Sequence, residues 1–459
     1  MRDPMKAPIS PSSNDASVED TQEHTGTGAA AVGGCAVLAA TMRGTTEVFA
    51  VFLLPLSQSM GWGRTEAASI YGVYQLCVGL GGPIAGRALD RVGPRITYTV
   101  GLLLLGAGLL GAAYSNSIWA FYAALGVTVG LGAAMIGIVS HSAVLSRWYR
   151  RNLTTAIAVI GAAMGLGVLA LAPLGQTLID DLGWRQAYLV LGCGVLALIV
   201  PISFVPWRAI AAGNPKIHTR LPPSKSQPDH DDAAPAQSPG AQPTGRWAQL
   251  PQTSSGIAAH AAQPIGFRAA LRTRAFWAIA AIQFLTSICM FIINPQIVVM
   301  LIDHGINALA AASAFGMAGL AGTAGVLGFA LIADRVSRAG AATLSYLMTF
   351  AGFGVLLWMG DTPSLWMIYL FVIVYGPTFG SRGPIFNAMV ARIFGAGPEL
   401  GTIFGAVHLG MGMGAALGAV LGGLIHDITG GYTAMLWTAM LCGVLALTLY
   451  WCTPEVRQA

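Results

Sequence analysis

The sequence predicts an all-α membrane protein: twelve transmembrane helices in two six-helix halves, with both termini on the cytoplasmic side. Three observations predict it: long apolar stretches, basic residues confined to alternate gaps between them, and a weak internal repeat. Of the 459 residues, 55% are hydrophobic and only 9% charged. A water-soluble domain carries about 25% charged residues, so most of this surface faces lipid. The mean hydropathy of +0.65 agrees.

A bilayer-spanning helix needs roughly 20 mostly apolar residues. In chain order such stretches fall near 30–56, 67–87, 96–115, 118–145, 153–178, 186–206, 275–301, 308–332, 341–359, 364–390, 401–425 and 434–452. Each is too continuous for a barrel strand, which alternates every second residue. In lipid the backbone must then be satisfied within a helix. Residues 1–29 are polar and acidic, lack the apolar run of a cleaved signal peptide, and read as a disordered cytoplasmic tail. Residues 30–207 make the N-terminal half. Residues 208–265, rich in Pro, Ala, Gln, Asp and Ser, read as a flexible cytoplasmic linker, with His230, Asp231 and Asp232 as solvated loop residues. Residues 266–453 make the C-terminal half, and 454–459 a short cytoplasmic tail.

The basic gaps set the orientation. Arg87, Arg91 and Arg95 follow span 2; Arg147, Arg150 and Arg151 follow span 4; Arg208, Lys216, Arg220, Lys225, Arg246, Arg268, Arg272 and Arg274 follow span 6. Arg335 and Arg338 follow span 8, and Arg392 follows span 10. The opposite gaps hold only Arg64 and Arg185. Basic loops stay in the cytoplasm, so the termini lie inside, in a multi-pass protein of the cytoplasmic (inner) membrane. The formal charge of +5 follows from this topology and does not point to nucleic acid. The cysteines Cys35, Cys77, Cys193, Cys289, Cys442 and Cys452 all fall within spans, show no metal-ligand spacing, and read as small buried apolar residues. No metal, cofactor or disulfide framework is expected.

The halves repeat weakly. Asp90-Arg91-Val92 after span 2 matches Asp334-Arg335-Val336 after span 8, and Gly175, Asp180 and Gly183 match Gly422, Asp427 and Gly430. Duplicated halves with a site between them near the bilayer midplane are a transporter architecture.

The stretch Gly86-Arg87-Ala88-Leu89-Asp90-Arg91-Val92-Gly93-Pro94-Arg95 resembles the loop signature between helices 2 and 3 of the major facilitator superfamily. Gly61-Trp62-Gly63-Arg64, Arg147-Trp148-Tyr149-Arg150-Arg151, Gly161, Gly165, Gly167, Pro173, Gly183-Trp184-Arg185 and Gly380-Ser381-Arg382-Gly383-Pro384 extend the likeness. Together they resemble its bacterial monocarboxylate transporter-like and oxalate/formate antiporter-like branch, over about residues 30–452. Pro94 departs from an often basic position, while Ser337 and Ala330 replace glycines in the second copy. The animal members carry an acid and an arginine in helix 8; span 8 here has no charge, so that proton mechanism is not implied. The resemblance implies a cavity lined by helices 1, 4, 7 and 10, and a cytoplasmic latch formed by Gly86, Asp90, Arg91, Gly93 and Arg95 with Asp334 and Arg335 in the second copy. Glycine there permits a tight turn and close approach.

A cation at the bilayer centre costs roughly 2.5–3.5 kcal/mol on insertion scales, so charges within spans mark function. Arg43 lies deep in span 1 and Arg382 in span 10, both on cavity helices by the resemblance. A guanidinium can engage a carboxylate bidentately. Glu47, four residues from Arg43, shares its helical face; it either neutralises Arg43 or exchanges with a substrate carboxylate and takes up a proton. Arg382 has no acid in its own span, which favours it as the substrate cation. Tyr71, Tyr74 and Gln75 of span 2, Gln283, Asn294 and Gln296 of span 7 and Asn387 of span 10 are the uncharged polar candidates, each equally readable as a helix–helix hydrogen bond, with Tyr74, Gln283 and Asn294 preferred for the cavity. His141 and His408 are candidate proton carriers, though a buried neutral imidazole is the plainer reading of each; related antiporters place a cation on helix 11, where His408 falls. Glycines of spans 5 and 11, with Gly410, Gly414 and Gly418 four residues apart, suggest surfaces that slide during rocking.

These features point to a secondary transporter of a small organic anion, a monocarboxylate, coupled to a proton or a counter-anion and acting as a monomer. Efflux of a larger amphipathic compound and a transporter-derived sensor that binds without turnover are the alternatives. No nucleophile–base set, metal cluster or nucleotide loop suggests an enzyme.

Overall fold

The computed structural model describes residues 13–149, 153–212, 266–335, 337–359, 364–395 and 399–457. Among these it is helical with no strand. Helix α1 is Gly26–Met60, and the 51-residue Arg64–Tyr114 comprises α2 and α3. The turn between those two is made at Gly93, whose φ of +78° is costly for any residue with a Cβ. Then come α4 (Ile118–Ser146), α5 (Thr155–Leu182), α6 (Trp184–Phe204), α7 (Arg274–Asp303), α8 (Ala308–Ala333) and α9 (Arg338–Met359). Span 10 is the broken helix α10, Leu365–Thr378 and Ile385–Phe394, followed by α11 (Gly401–Thr429) and α12 (Thr433–Cys452). The ten long apolar helices, with one counted twice and the broken one added, give the twelve spans the sequence predicts.

Two boundaries differ from the sequence reading. Helix begins at Ser13 and runs unbroken to Glu47, so it reaches back into the expected tail; residues 1–12 lie outside the described residues. Of the expected linker, 213–265 lie outside the described residues, but Trp207–Ala212 is a short helix docked on the N-terminal half. The Trp207 ring is buried against Tyr98, and Trp148 Nε1 donates to the Ile210 carbonyl at 2.7 Å. Two buried indoles outweigh the polar composition around them. Cys193 and Cys452, expected to be buried, are exposed on the apolar surface, and all six cysteines are free thiols.

The cavity helices of the resemblance are all interrupted. Helix α1 breaks at Val48, α4 has a π-helical turn (Tyr122–Thr128) and a break at Gly137, and α7 passes through a 3-10 turn at Asn294–Gln296. Helix α10 does the same at Gly376–Thr378 and then turns at Gly380, φ +85°. Pro295 and Pro377 each remove a backbone donor there. Helix α6 is also interrupted, at Leu198. The others run on.

Glycines decide which helices touch. A Cβ on Gly410, Gly414, Gly418 or Gly422 of α11 would meet, in turn, the Ala280, Phe284, Ile288 and Ile292 carbonyls of α7. The four-residue stripe is therefore a packing seam inside the C-terminal half, not a sliding surface between halves. The seam between halves uses another face of α11: Gly412 lies on Gln75 and Gly79, and Ala416 on Gly72. Helix α5 divides its glycines likewise, with Gly165 on Gly319 and Thr323 of α8 and Gly167 on Ala40 of α1. Toward the basic ends this seam loses its close contacts: a Cβ on Gly82 or Gly86 of α2, or on Gly401 or Gly405 of α11, would meet nothing within 4 Å.

These contacts predict a graded response to added methyl groups. A Cβ at Gly167 would lie 2.0 Å from the Ala40 carbonyl oxygen, and one at Gly325 1.8 Å from that of Pro377. Gly167→Ala and Gly325→Ala should each destabilise by about 1–3 kcal/mol through overpacking. Gly161→Ala, which meets open space, should be neutral or slightly stabilising. Thermal unfolding of the three variants in detergent checks the order.

Candidate functional site

Arg43 lies at the midpoint of α1, and the chain places Glu47 one turn further along the same face. The two form an ion pair, Arg43 Nη2 to Glu47 Oε1 at 2.9 Å. The Tyr71 hydroxyl of α2 donates to the same oxygen at 3.1 Å, and Asn294 Nδ2 of α7 donates to Oε2 at 3.0 Å. Both carboxylate oxygens are thus satisfied by three donors, one of them from the opposite half. The Glu47 side chain is 1% exposed, while that of Arg43 keeps 30%. The carboxylate is sealed, while part of the Arg43 side chain stays open. Arg43 also stands over the ring of Phe379 in the α10 break, 5.4 Å from its centroid. The pair is therefore held between halves at both ends, through Asn294 and through Phe379.

Aromatic rings wall this cluster. Tyr71 stacks on Phe49 at 5.6 Å, and Tyr74 and Phe291 lie 5.4 and 6.0 Å from it. Behind Tyr71 and Tyr74 a cavity of ≈ 20 Å³ opens inside the N-terminal half, lined also by Thr45, Thr46 and Phe49. That is room for about one water. Thr45 and Thr46 return their hydroxyls to the carbonyls of Thr41 and Met42 at 2.7 and 2.9 Å, a bonding that bends helices, and α1 breaks two residues later at Val48.

Arg382 is placed differently from the sequence expectation. It opens the helix Arg382–Phe394, which contains the second segment of α10, and is 5% exposed. Its Nη2 donates to the Ser345 carbonyl at 3.0 Å and to the Thr349 hydroxyl, and it lies 4.2 Å from the Tyr346 ring centroid. All three partners belong to α9. Ser381 beside it bonds Ser345 at 2.9 Å. No carboxylate of a described residue pairs with Arg382, and its Nε has no partner. Arg43 and Arg382 share no hydrogen-bond or ion-pair partner among the described residues; Phe379, which lies under Arg43, is three residues before Arg382. Helix α8 braces the break, its Gly322 lying on Phe379 and its Gly325 on Pro377.

The remaining candidates divide. Asn294 is in the cluster, and its Oδ1 is buried without a partner. Tyr74 is 6% exposed and lines the cavity, while Tyr71 is the donor to Glu47. Gln283 is buried in α7, and Asn387 is exposed on the lower segment of α10. His141 is fully buried inside the N-terminal half, with Nδ1 3.3 Å from the Tyr98 hydroxyl, itself 3.8 Å from the Cys35 sulfur. His408 Nδ1 lies 3.0 Å from the Phe404 carbonyl on its own helix. Neither histidine touches Glu47. In the loop signature Gly86 stands open, Gly93 makes the turn, Arg91 and Arg95 are exposed, and Asp90 faces Arg147 of the same half at 3.5 Å. Arg335 is exposed in the second copy, and the Asp334 side chain lies outside the described residues. Sequence reasoning missed Phe379, and it named Tyr71 and Gln296 without preferring them for the site; Gln296 is fully buried with neither amide atom partnered. Its signal was the Asn294-Pro295-Gln296 run within an apolar span. Among the described residues no group of three metal-ligating side chains occurs.

Comparisons with known proteins fit this architecture. The chain is 24% identical to Monocarboxylate transporter 12 of Rattus norvegicus over 423 residues, covering 90% of this chain and 82% of the relative. It is 29% identical to Monocarboxylate transporter 4 of the same species over 183 residues, spanning 39% of this chain and 39% of that protein's length. It is 35% identical to human Monocarboxylate transporter 1 over 136 residues, 28% of this chain and 27% of the relative. A crystal structure of a D-xylose-proton symporter shares the fold, with TM-score 0.63 at 12% identity over 93% of this chain and 98% of the other. The family model of the Major Facilitator Superfamily matches residues 32–396. The chain is a member of the Major Facilitator Superfamily, a family of transporters and not of enzymes, and is monocarboxylate-transporter-like within it.

Proposed function

We propose that this transporter carries a small monocarboxylate across the cytoplasmic membrane by alternating access, coupled to a proton through Glu47. One observation carries the reading: a sealed mid-membrane carboxylate bound by Arg43 and Tyr71 of one half and Asn294 of the other. An arriving carboxylate meets the partly open Arg43 and competes with Glu47 for its guanidinium. A buried carboxylate that loses its cation is costly, about 3–5 kcal/mol when a buried pair is broken. Taking up a proton removes that cost. The anion and the proton then enter together with no net charge, as suits a membrane centre.

The same step loosens the contact between halves. A neutral Glu47 accepts a weaker hydrogen bond from Asn294 than a charged one does, and an anion on Arg43 displaces it from Phe379. Occupancy thus biases the rocking of one half against the other. Arg382, buried and without a described counter-ion, is a second cation that helps hold the anion once the α10 break moves. The Gly86–Arg95 loop, with Arg147 against Asp90, latches the basic side in the opposite state. One chain contains both halves of the site and so acts as a monomer. The monocarboxylate relatives support the substrate class.

Uptake of labelled small carboxylates into proteoliposomes tests this, with and without an acid-outside gradient. Gradient-stimulated uptake is expected. Arg43→Ala should lower it about 10–100-fold, from the roughly 1.5–3 kcal/mol of a charge-assisted contact. Glu47→Gln, a permanent mimic of the protonated acid, should lose gradient stimulation yet keep carboxylate counterflow. Folded protein that moves no small carboxylate in either format overturns the proposal, and uptake seen only by exchange assigns the coupling to a counter-anion.

Asn294→Leu offers a separate check. It removes the donor to Glu47 from the opposite half while leaving the Arg43 pair in place. Carboxylate affinity in a binding assay should change less than about threefold, while turnover falls. Equal loss of both would show that Asn294 binds substrate directly instead of linking the halves.

A further inference from the structure

Helix α2 has no N-cap side chain of its own; locally Glu66 Oε2 accepts only from the Gly63 amide, at 3.2 Å. Its N-cap position is Gly63, in extended conformation (φ −64°, ψ 167°) and without a side chain to accept from the first turn. The first amides of a helix need an acceptor, and here it comes from 363 residues away. Asp427 of α11 accepts from the Arg64 amide at 2.9 Å, the Thr65 amide at 2.8 Å and the Thr65 hydroxyl at 2.6 Å. Glycine at 63 is what makes room, because a Cβ there would lie 2.9 Å from Asp427 Oδ2.

A second bridge lies beside it. Arg64 Nη2 pairs with Asp303 Oδ2 at 3.0 Å, and the Tyr432 hydroxyl donates to the same oxygen. Asp303 is the last residue of α7, and Asp427 stands in the last turn of α11. Each acid thus occupies the end of its own helix where the macrodipole disfavours negative charge. The opposite half supplies the compensation, an arginine for one and a helix N-terminus for the other. His426, 4.0 Å from Asp427 and 4.7 Å from the Tyr432 ring, packs against the group.

The internal repeat gives a control. Asp180 on α5 is the counterpart of Asp427, and α8 is the counterpart of α2. There the helix is capped locally: Asn307 Oδ1 accepts from the Leu309 and Ala310 amides at 2.9 and 3.4 Å. Asp180 instead accepts from Gln176 of its own helix at 2.8 Å. Of these two repeat-related seams, the α2–α11 one alone has its cap supplied across the boundary among the described residues.

We infer that Asp427, as the borrowed N-cap of α2, together with the Arg64–Asp303 pair, is the outer gate that holds the two halves together on the side away from the basic loops. Opening outward strips the cap from α2 and the cation from Asp303 in one step. The inference concerns the conformational equilibrium and stands whatever the substrate is.

The test reads distance, not transport. Spin labels go on Tyr114→Cys at the outer end of α3 and Leu365→Cys at the outer end of α10, both well exposed. Cys77, Cys193, Cys442 and Cys452, the native thiols that are not buried, are substituted by serine. Asp427→Ala should add a longer-distance population and lower the melting temperature, and Asp427→Asn, which keeps an acceptor, should stay near the parent. Gly63→Asp placed in the Asp427→Ala background restores a local cap. It should recover the melting temperature while the longer distance persists. Should Asp427→Ala not fold, this double variant reads the same distance. An unchanged distribution in folded Asp427→Ala, or reclosure in the double variant, overturns the gate and leaves Asp427 a stabilising cap only.

Discussion

A carboxylate at the middle of a membrane helix must be paired, and the way Glu47 is paired organises the molecule. Its neighbour Arg43 neutralises it within α1, Tyr71 fixes one oxygen, and Asn294 reaches the other from the second half. Buried charge tolerates no idle rearrangement, because each lost donor leaves a polar atom without water. The contact between halves is therefore tied to the state of one acid. In the coupling proposed above, Arg43, whose side chain keeps 30% exposure, is the group through which an incoming anion changes that state.

The surrounding fold serves this constraint in two ways. The continuous helices α11 and α5, packed through glycine on α7 and α1, give each half its frame. Interrupted helices bring flexible backbone to the centre, where α7 and α10 pass through 3-10 turns at prolines. Irregular backbone survives at membrane depth only where protein shields it, and α8 does so for α10 through Gly322 and Gly325. The outer ends are joined through Asp303 and Asp427, whereas the glycines of α2 and α11 toward the basic ends make no close contact. The charged cluster thus lies between these outer contacts and the basic ends.

Much of the site was legible in the chain because charge is so scarce in its spans. Arg43, Glu47 and Arg382 stand out against apolar residues, and the four-residue spacing of the first two already pairs them. Partners from other helices were not legible. Tyr71 and Tyr74 sit three apart on one helix, and only the packing of α2 on α1 decides that Tyr71 meets Glu47. Arg382 reads as a cavity cation, yet the turn at Gly380 aims it at α9. Gly410, Gly414 and Gly418 announce close packing but not with which helix.

The sequence by itself determined the class, the span number, the orientation and the duplication, because hydropathy and the placement of arginines act locally along the chain and the bilayer reads them directly. It also determined where the helices weaken, since proline and glycine act on their own backbone. Tertiary structure alone decided that Asn294 reaches Glu47, that Asp427 caps a helix begun 363 residues earlier, and that Trp207 folds back onto its own half. Those contacts join residues far apart in the chain, and their geometry is set by how twelve helices pack, which no local pattern encodes.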